Sequence, residues 1–219
     1  MDVFSLELLP PLLKGLKITL LLTVYSTLAA LCLAFIAGFA RLSRFWIVRS
    51  IATVYVEVFR GTSLLVQLFW MYFALPMLLD DIRMPAMTAA FIALGLNYGA
   101  YGSEVVRSMI LAIPKGQVEA SIALNLTPYQ RMRRVILPQA WSMMLPSFGN
   151  LQIELLKGTS LVYLITLADL TYQGMMLRSF NISQTTAIFI WILILYYAVA
   201  SVLTYLIRLA ERRAAVGRG

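Results

Sequence analysis

The chain has 219 residues, of which 61% are hydrophobic and 13% charged, and its formal net charge is +8. Soluble domains carry about half apolar and a quarter charged residues, so there are too few polar side chains here to cover a water-exposed surface. The composition implies an all-α integral membrane protein. Histidine is absent and Cys32 is the single cysteine, which excludes an internal disulfide and leaves too few ligands for the usual zinc or haem sites. Cys32 lies in an apolar run and reads as a small buried hydrophobe. The basic residues gather at the ends of apolar segments rather than in one patch, which is a topology signal and not a nucleic-acid surface.

A helix needs about 20 residues to cross a hydrocarbon layer of about 30 Å. In chain order the spacing predicts spans near residues 18–40, 51–79, 85–110, 140–167 and 184–207. The first and last are free of charge. The second carries Glu57 and Arg60, the third Glu104 and Arg107, and the fourth Glu154 and Lys157. Asp2 and Glu7 make the start acidic, unlike a signal peptide, and one membrane domain is expected to fill residues 1–219. Arg41, Arg44 and Arg49 follow span one, Lys115, Arg131, Arg133 and Arg134 follow span three, and Arg208, Arg212, Arg213 and Arg218 follow span five. The other two loops hold Asp80, Asp81 and Arg83, and Asp169 and Arg178. The positive-inside bias therefore places the N-terminus outside and the C-terminus in the cytoplasm, against the weaker contrary signal of Lys14 and Lys17.

The loop at about 115–138 is mixed polar and apolar. A short helix is predicted over 117–126. Thr127 fits an N-cap and Pro128 a first helical position, opening a second short helix through Val135 that buries Met132, Val135 and Ile136. Two readings fit the pattern: a compact cytoplasmic projection, or an amphipathic segment lying on anionic lipid.

Each charged span repeats one device, an acid followed three residues later by a base, which places both on one helix face. Pairing lowers the cost of an ion in hydrocarbon, so these spans are expected to face protein or water. Glu57–Arg60 and Glu104–Arg107 read as structural pairs near the membrane ends, whereas Glu154–Lys157 reads as part of a path or gate. The stretches EVFRGTSLL (57–65) and ELLKGTSLV (154–162) also resemble each other. In both, the glycine permits a bend or a close approach, and the hydroxyls of the Thr-Ser pair can satisfy backbone groups freed by a bend, Thr159 among them. Gly95, Gly99 and Gly102 would let helices approach around span three, with Asn97 and Tyr101 as polar groups that either line a path or hold helices together.

Glu119-Ala120-Ser121, Asn125, Val135 and Leu137-Pro138 resemble the EAA loop of ABC importer membrane subunits: E-A-A, three residues, G, nine residues, I, one residue, L-P. Ser121, Asn125 and Val135 depart from that pattern, and asparagine can adopt the left-handed conformation favoured by the glycine it replaces. Residues 56–67, 104–108, 115–120, 135–140 and 156–161 are similar to the polar amino acid branch, the permeases of histidine, glutamine and arginine importers. The resemblance implies the type I importer permease fold with five transmembrane helices in a bacterial inner membrane. It also implies a second permease subunit, identical or similar, two cytoplasmic ATPase subunits and an extracytoplasmic solute-binding protein. Glu119, Ala120, Ser121, Asn125, Arg131, Arg134, Leu137 and Pro138 would couple to the ATPase. Glu154, Lys157, Thr159, Asn97 and Tyr101 are the candidates for the path or gate. No G-x-x-x-x-G-K-[ST] phosphate loop is present, so the chain reads as no enzyme: it is expected to need no cofactor or metal, and ATP and magnesium would belong to the partner ATPase. The alternatives are an osmolyte or opine permease of the same family and, in another class, a non-transporting membrane scaffold or receptor subunit.

Overall fold

The computed structural model describes residues 6–78 and 84–216, and among them it is almost wholly helical, with no strand. Helix α1 (Leu9–Arg41) starts well before the apolar run at residue 18, with proline in its first turn, where a missing N–H is not needed. Lys14 and Lys17 sit on its exposed side. Helix α2 (Trp46–Gly61) ends at Thr62, which is extended with φ −114° and ψ 152°. After that break α3 (Leu64–Phe69), a widened π turn (Trp70–Ala74) and α4 (Leu75–Leu78) form one continuous rod, bent by 105° from α2. The second expected span is therefore two helices at nearly a right angle.

Helix α5 (Ala86–Leu111) leads into the loop helices α6 (Lys115–Ala123) and α7 (Pro128–Arg131). The second loop helix was expected to stand alone. Instead it runs through another π turn (Met132–Ile136) straight into α8 (Leu137–Gly158). Both π turns stop two residues before a proline, Pro76 in one case and Pro138 in the other. A proline removes a donor and crowds the carbonyl four residues back, and a wider turn absorbs both effects without breaking the helix. A 3₁₀ segment (Thr159–Ile165) extends α8, Thr166 turns the chain at φ 62°, and α9 (Leu170–Phe180) and α10 (Thr185–Val216) complete the fold. Helix α9 occupies a region read from sequence as loop.

Helices α1 and α5 are the central pair and run parallel. A Cβ on Gly95 would meet Ala29, one on Gly99 Leu33, one on Gly102 Ala34, and one on Gly38 Val106. The numbers rise together on both helices, so small residues form a ladder along the contact, as in close membrane helix packing. Helix α10 also runs parallel to α1: Leu12 packs with Ala187, Ile188 and Ile192, and Thr27 and Leu31 share a cavity wall with Leu203 and Ile207. Helix α8 is antiparallel to α5, since Ala140 and Met144 pack with Val106 and Ile110 while Glu154 lies at Tyr98. By length and apolar composition alone, α1 and the stretch Ile182–Arg213 suffice to cross a membrane, and the bent pairs Trp46–Gly61 with Leu64–Leu78 and Pro128–Ile165 with Leu170–Phe180 add up to two more.

Cys32, expected to be buried, is exposed on α1. Asp2, Leu79, Asp80, Asp81, Arg83 and Arg218, which entered the span and charge readings, lie outside the described residues. The ladder makes a paired prediction. A Cβ on Gly102 would stand 2.7 Å from the Ala34 Cβ, whereas nothing lies within 4 Å of one on Gly61. Gly102→Val should cost about 1–3 kcal/mol through overpacking and lower the thermal unfolding midpoint in detergent, while Gly61→Ala should leave it nearly unchanged.

Candidate functional site

Three of the last four carbonyls of α2 are satisfied by side chains. The Thr62 hydroxyl donates to the Val58 carbonyl at 2.7 Å. The Phe59 carbonyl accepts from the Gln67 amide at 3.0 Å and from the Asn97 amide at 3.0 Å. The Tyr101 hydroxyl donates to the Arg60 carbonyl at 3.4 Å. Gln67 is buried and also donates to Thr62 Oγ1 at 2.7 Å, while its own oxygen accepts from Asn97 at 3.0 Å. A helix end has orphan carbonyls, and in hydrocarbon they need protein partners. This knot supplies them, so the 105° bend is fixed by chemistry on α3 and α5. Gln67 carried no role in the sequence reading, although it closes the stretch from Val56 that carries the family resemblance.

Of the three expected i, i+3 pairs, Glu104–Arg107 forms, and Glu57–Arg60 and Glu154–Lys157 do not among the described residues. Glu104 binds three guanidinium groups: Arg41 from the end of α1, Arg60 from α2 at 3.5 Å and Arg107 from its own helix at 3.2 Å. Arg60 therefore bridges to Glu104 and not to Glu57, and its guanidinium also lies 5.3 Å from the centre of the Tyr101 ring. Among the described residues Glu57, Glu154 and Lys157 make no ion pair within 4 Å, and all three are exposed. Of the other path candidates, Tyr101 is half-buried, while Asn97 and Thr159 are buried; the Thr159 hydroxyl is turned back to the Leu156 carbonyl at 2.6 Å. Arg41 was read from sequence only as a loop charge, yet it is the cation most closely held by Glu104.

The two similar Gly-Thr-Ser stretches serve different ends. At Gly61 the chain bends. At Gly158 it continues into the 3₁₀ segment, and the glycine is there because a Cβ would stand 2.6 Å from the Tyr98 hydroxyl. Tyr98 donates to the Glu154 carbonyl at 2.8 Å and ties α5 to α8. A second buried polar cluster was missed. Asp169 caps α9 by accepting from the Thr171 and Tyr172 amides at 3.2 and 2.9 Å, and Tyr196 on α10 donates to it at 3.4 Å. Thr19 on α1 accepts from the Leu170 amide at 3.1 Å. An acid followed by a helix-forming run, 170–180, is the signal that could have found this cap.

In the loop, α6 ends in a Schellman turn. The Leu126 amide donates to the Ser121 carbonyl, the Asn125 amide to the Ile122 carbonyl, and Asn125 is left-handed at φ 54°. Thr127 and Gln130 then form a reciprocal capping box at the start of α7. Ser121 is buried, Arg131 half-buried, Arg134 and Pro138 exposed, and Leu137 half-buried. Glu119 and Ala120 face outward, as do Ile122, Leu124 and Tyr129, which are 51, 74 and 70% exposed. The other side of the loop is anchored: Val118 and Met132, like Leu42, pack against the core that contains Ile110, Ile113 and Ile136 under the ends of α1 and α5.

Residues 30–216 match the family described as binding-protein-dependent transport system inner membrane component. The chain belongs to that family. It is thus an inner-membrane permease, and its relatives transport amino acids by name. A probable amino-acid ABC transporter permease protein of Sinorhizobium fredii is 44% identical over 217 residues, covering 97% of this chain and 91% of that one. The glutamine transport system permease protein of Escherichia coli is 40% identical over 207 residues, covering 94 and 93%. Among solved structures, an amino acid ABC transporter crystallised with histidines superposes with a TM-score of 0.86 at 35% identity, covering 93% of the permease and 94% of that chain. A methionine ABC transporter in an inward-facing conformation shares the fold at TM-score 0.77 and 20% identity, covering 96 and 99%.

Within the permease, Asn97→Leu should cost about 1–3 kcal/mol, because it leaves the Gln67 oxygen and one lobe of the Phe59 carbonyl without a donor. The double variant Asn97→Leu/Gln67→Leu should cost less than the sum of the two single changes. Thermal unfolding of the four proteins measures the coupling, and simple additivity would remove Asn97 and Gln67 from a common knot.

Proposed function

We propose that this permease carries polar amino acids inward across the bacterial inner membrane, driven by ATP hydrolysed in a partner ATPase. The observation that carries the reading is the loop's construction. A left-handed stop at Asn125 and a capping box at Thr127 hold a short helix rigidly, with Glu119, Ala120, Ile122, Leu124 and Tyr129 facing away from the bundle. An acid set among exposed apolar side chains on a rigid projection suits docking into a groove on a soluble partner. Glu119 supplies the polar contact, Ala120 the close approach, and Arg131 and Arg134 a charge supplement. Ser121 and Asn125 shape the turn, and Leu137-Pro138 joins it to α8.

The helix directions support five crossings. Since α1 and α5 are parallel along their contact, the bent α2–α4 segment has to bring the chain back, and α8 and α10 add two more crossings of opposite sense. Helix α5, expected near 85–110, is a less apolar crossing than α1 or α10, because Asn97, Tyr98, Tyr101 and Glu104 lower its hydropathy while protein covers most of it. Five crossings put the termini on opposite sides, and the arginines beside the loop put the C-terminus in the cytoplasm. The chain acts as one membrane domain, paired with a second permease, two ATPases and a solute-binding protein. Alternating access moves the exposed Glu154 and Lys157 and the half-buried Tyr101 relative to the partner permease.

The test is co-purification and uptake. Tagged wild type should recover ATPase and binding protein from detergent extracts, and Glu119→Ala should lose the ATPase while keeping its own fold. Asn125→Gly should retain the ATPase; Asn125→Val, strained at positive φ by about 1–2 kcal/mol, should weaken recovery. The reconstituted complex should take up labelled L-glutamine or L-arginine with ATP. Uptake of an osmolyte or opine instead would change the substrate and keep the mechanism, whereas recovery of no ATPase would leave a scaffold or receptor subunit.

A further inference from the structure

The cluster around Glu104 is unbalanced. Arg41, Arg60 and Arg107 bring three positive charges to one carboxylate, leaving a surplus of two in a helical bundle of low polarity. Glu57, one turn before Arg60, bridges to none of them among the described residues. The three cations are also not equivalent. The Arg41 side chain is 13% exposed and closest to Glu104, so it is the internal partner. Arg60 and Arg107 are 40 and 36% exposed and stand at 3.5 and 3.2 Å. A guanidinium carries five N–H donors, and two carboxylate oxygens shared by three guanidiniums leave most of those donors unused. The Tyr101 ring beneath Arg60 and the Tyr101 hydroxyl on the Arg60 carbonyl hold that residue at both ends, so its outward N–H edge is pre-positioned.

We propose that Arg60 and Arg107, backed by Arg41 and Glu104, form a binding site for a single oxyanion, a carboxylate or a phosphate group. Fork-shaped donors match either group, and a charge-assisted pair in a partly desolvated place is stronger than the same pair in water. A transported amino acid offers a carboxylate, and an anionic phospholipid offers a phosphate. The negative charge of Glu104 repels an anion held on the free edges of the guanidiniums and keeps the site from holding one permanently. This role does not depend on ATP-driven transport.

The full-length chain in phosphatidylcholine nanodiscs, mixed with millimolar L-glutamine, gives one readout by saturation-transfer NMR, with glutamine amide as the probe lacking a carboxylate. Nanodiscs that also contain phosphatidylglycerol give the second, as lipid retained through delipidation and counted by mass spectrometry. For a carboxylate ligand, the L-glutamine affinity should fall about tenfold in Arg60→Gln, the effect of one charge-assisted hydrogen bond, and the amide should show no signal. For a phosphate ligand, phosphatidylglycerol retention should show the same loss without a glutamine signal. In both cases Glu104→Gln should bind more tightly than wild type, a gain that a purely structural cluster does not produce. Arg60→Lys and Arg107→Gln, with elution volume and unfolding midpoint as folding checks, carry the test if Arg60→Gln does not fold. Equal binding of both probes by wild type and the arginine variants, no binding of either probe by wild type, or weaker binding by Glu104→Gln would overturn the proposal.

Discussion

A helix that ends inside a membrane leaves carbonyls that only protein can satisfy, and the arrangement of this permease turns on how α2 ends. Its last turn is held by Thr62, Gln67, Asn97 and Tyr101, drawn from the break itself, from α3 and from α5. Each unsatisfied carbonyl in hydrocarbon would cost several kcal/mol, roughly as much as the net stability contributed by many packing contacts. The bend is therefore rigid. Because the same residues come from α5, the bend also fixes where α2 crosses the central pair, and this brings Arg60 to Glu104.

The central pair has its own requirement. Parallel helices of 33 and 26 residues can approach closely only if small residues line the contact, and Gly38, Gly95, Gly99 and Gly102 provide that on the two sides. Close approach in turn carries the end of α1 far enough along α5 for Arg41 to meet Glu104. The ion cluster thus depends on the ladder and the bend together, and neither the charges alone nor their spacing would assemble it.

That dependence explains what was legible in the sequence. The turn at Asn125 and the cap at Thr127 are local, decided by residues a few positions apart, and the sequence pattern points to both, whereas at Gly61 it allows either a bend or a close approach within one expected span. Acid–base spacing is local too, but a carboxylate in a bundle takes whichever cations packing delivers. Glu104 therefore gathered Arg41 and Arg60 from other helices, while Glu57 and Glu154 remained unbridged among the described residues. Helix α9 escaped notice for a different reason: eleven residues with mixed polarity do not register as a span, and their cap, Asp169, reads as a loop charge until Thr19 and Tyr196 are seen beside it. Asn97 and Thr159 show the same limit, since whether a polar side chain lines a path or ties helices together depends on neighbours far away in sequence.

The loop and the ion cluster share one apolar core. Val118 and Met132 of the loop pack against the buried cluster that contains Val106 and Ile110, which flank Arg107 on α5, and Leu42, which follows Arg41 directly, packs against the same cluster. A close-packed core transmits displacement rather than absorbing it, because filling or opening a gap the size of one methyl group already costs about 1 kcal/mol. Through that core the loop is packed to the ends of α1 and α5, where three helices are joined through Glu104. The π turn also joins the same loop to α8 as one continuous helix through Leu137-Pro138. Caps at one end and a shared core at the other make the loop a packed part of the bundle.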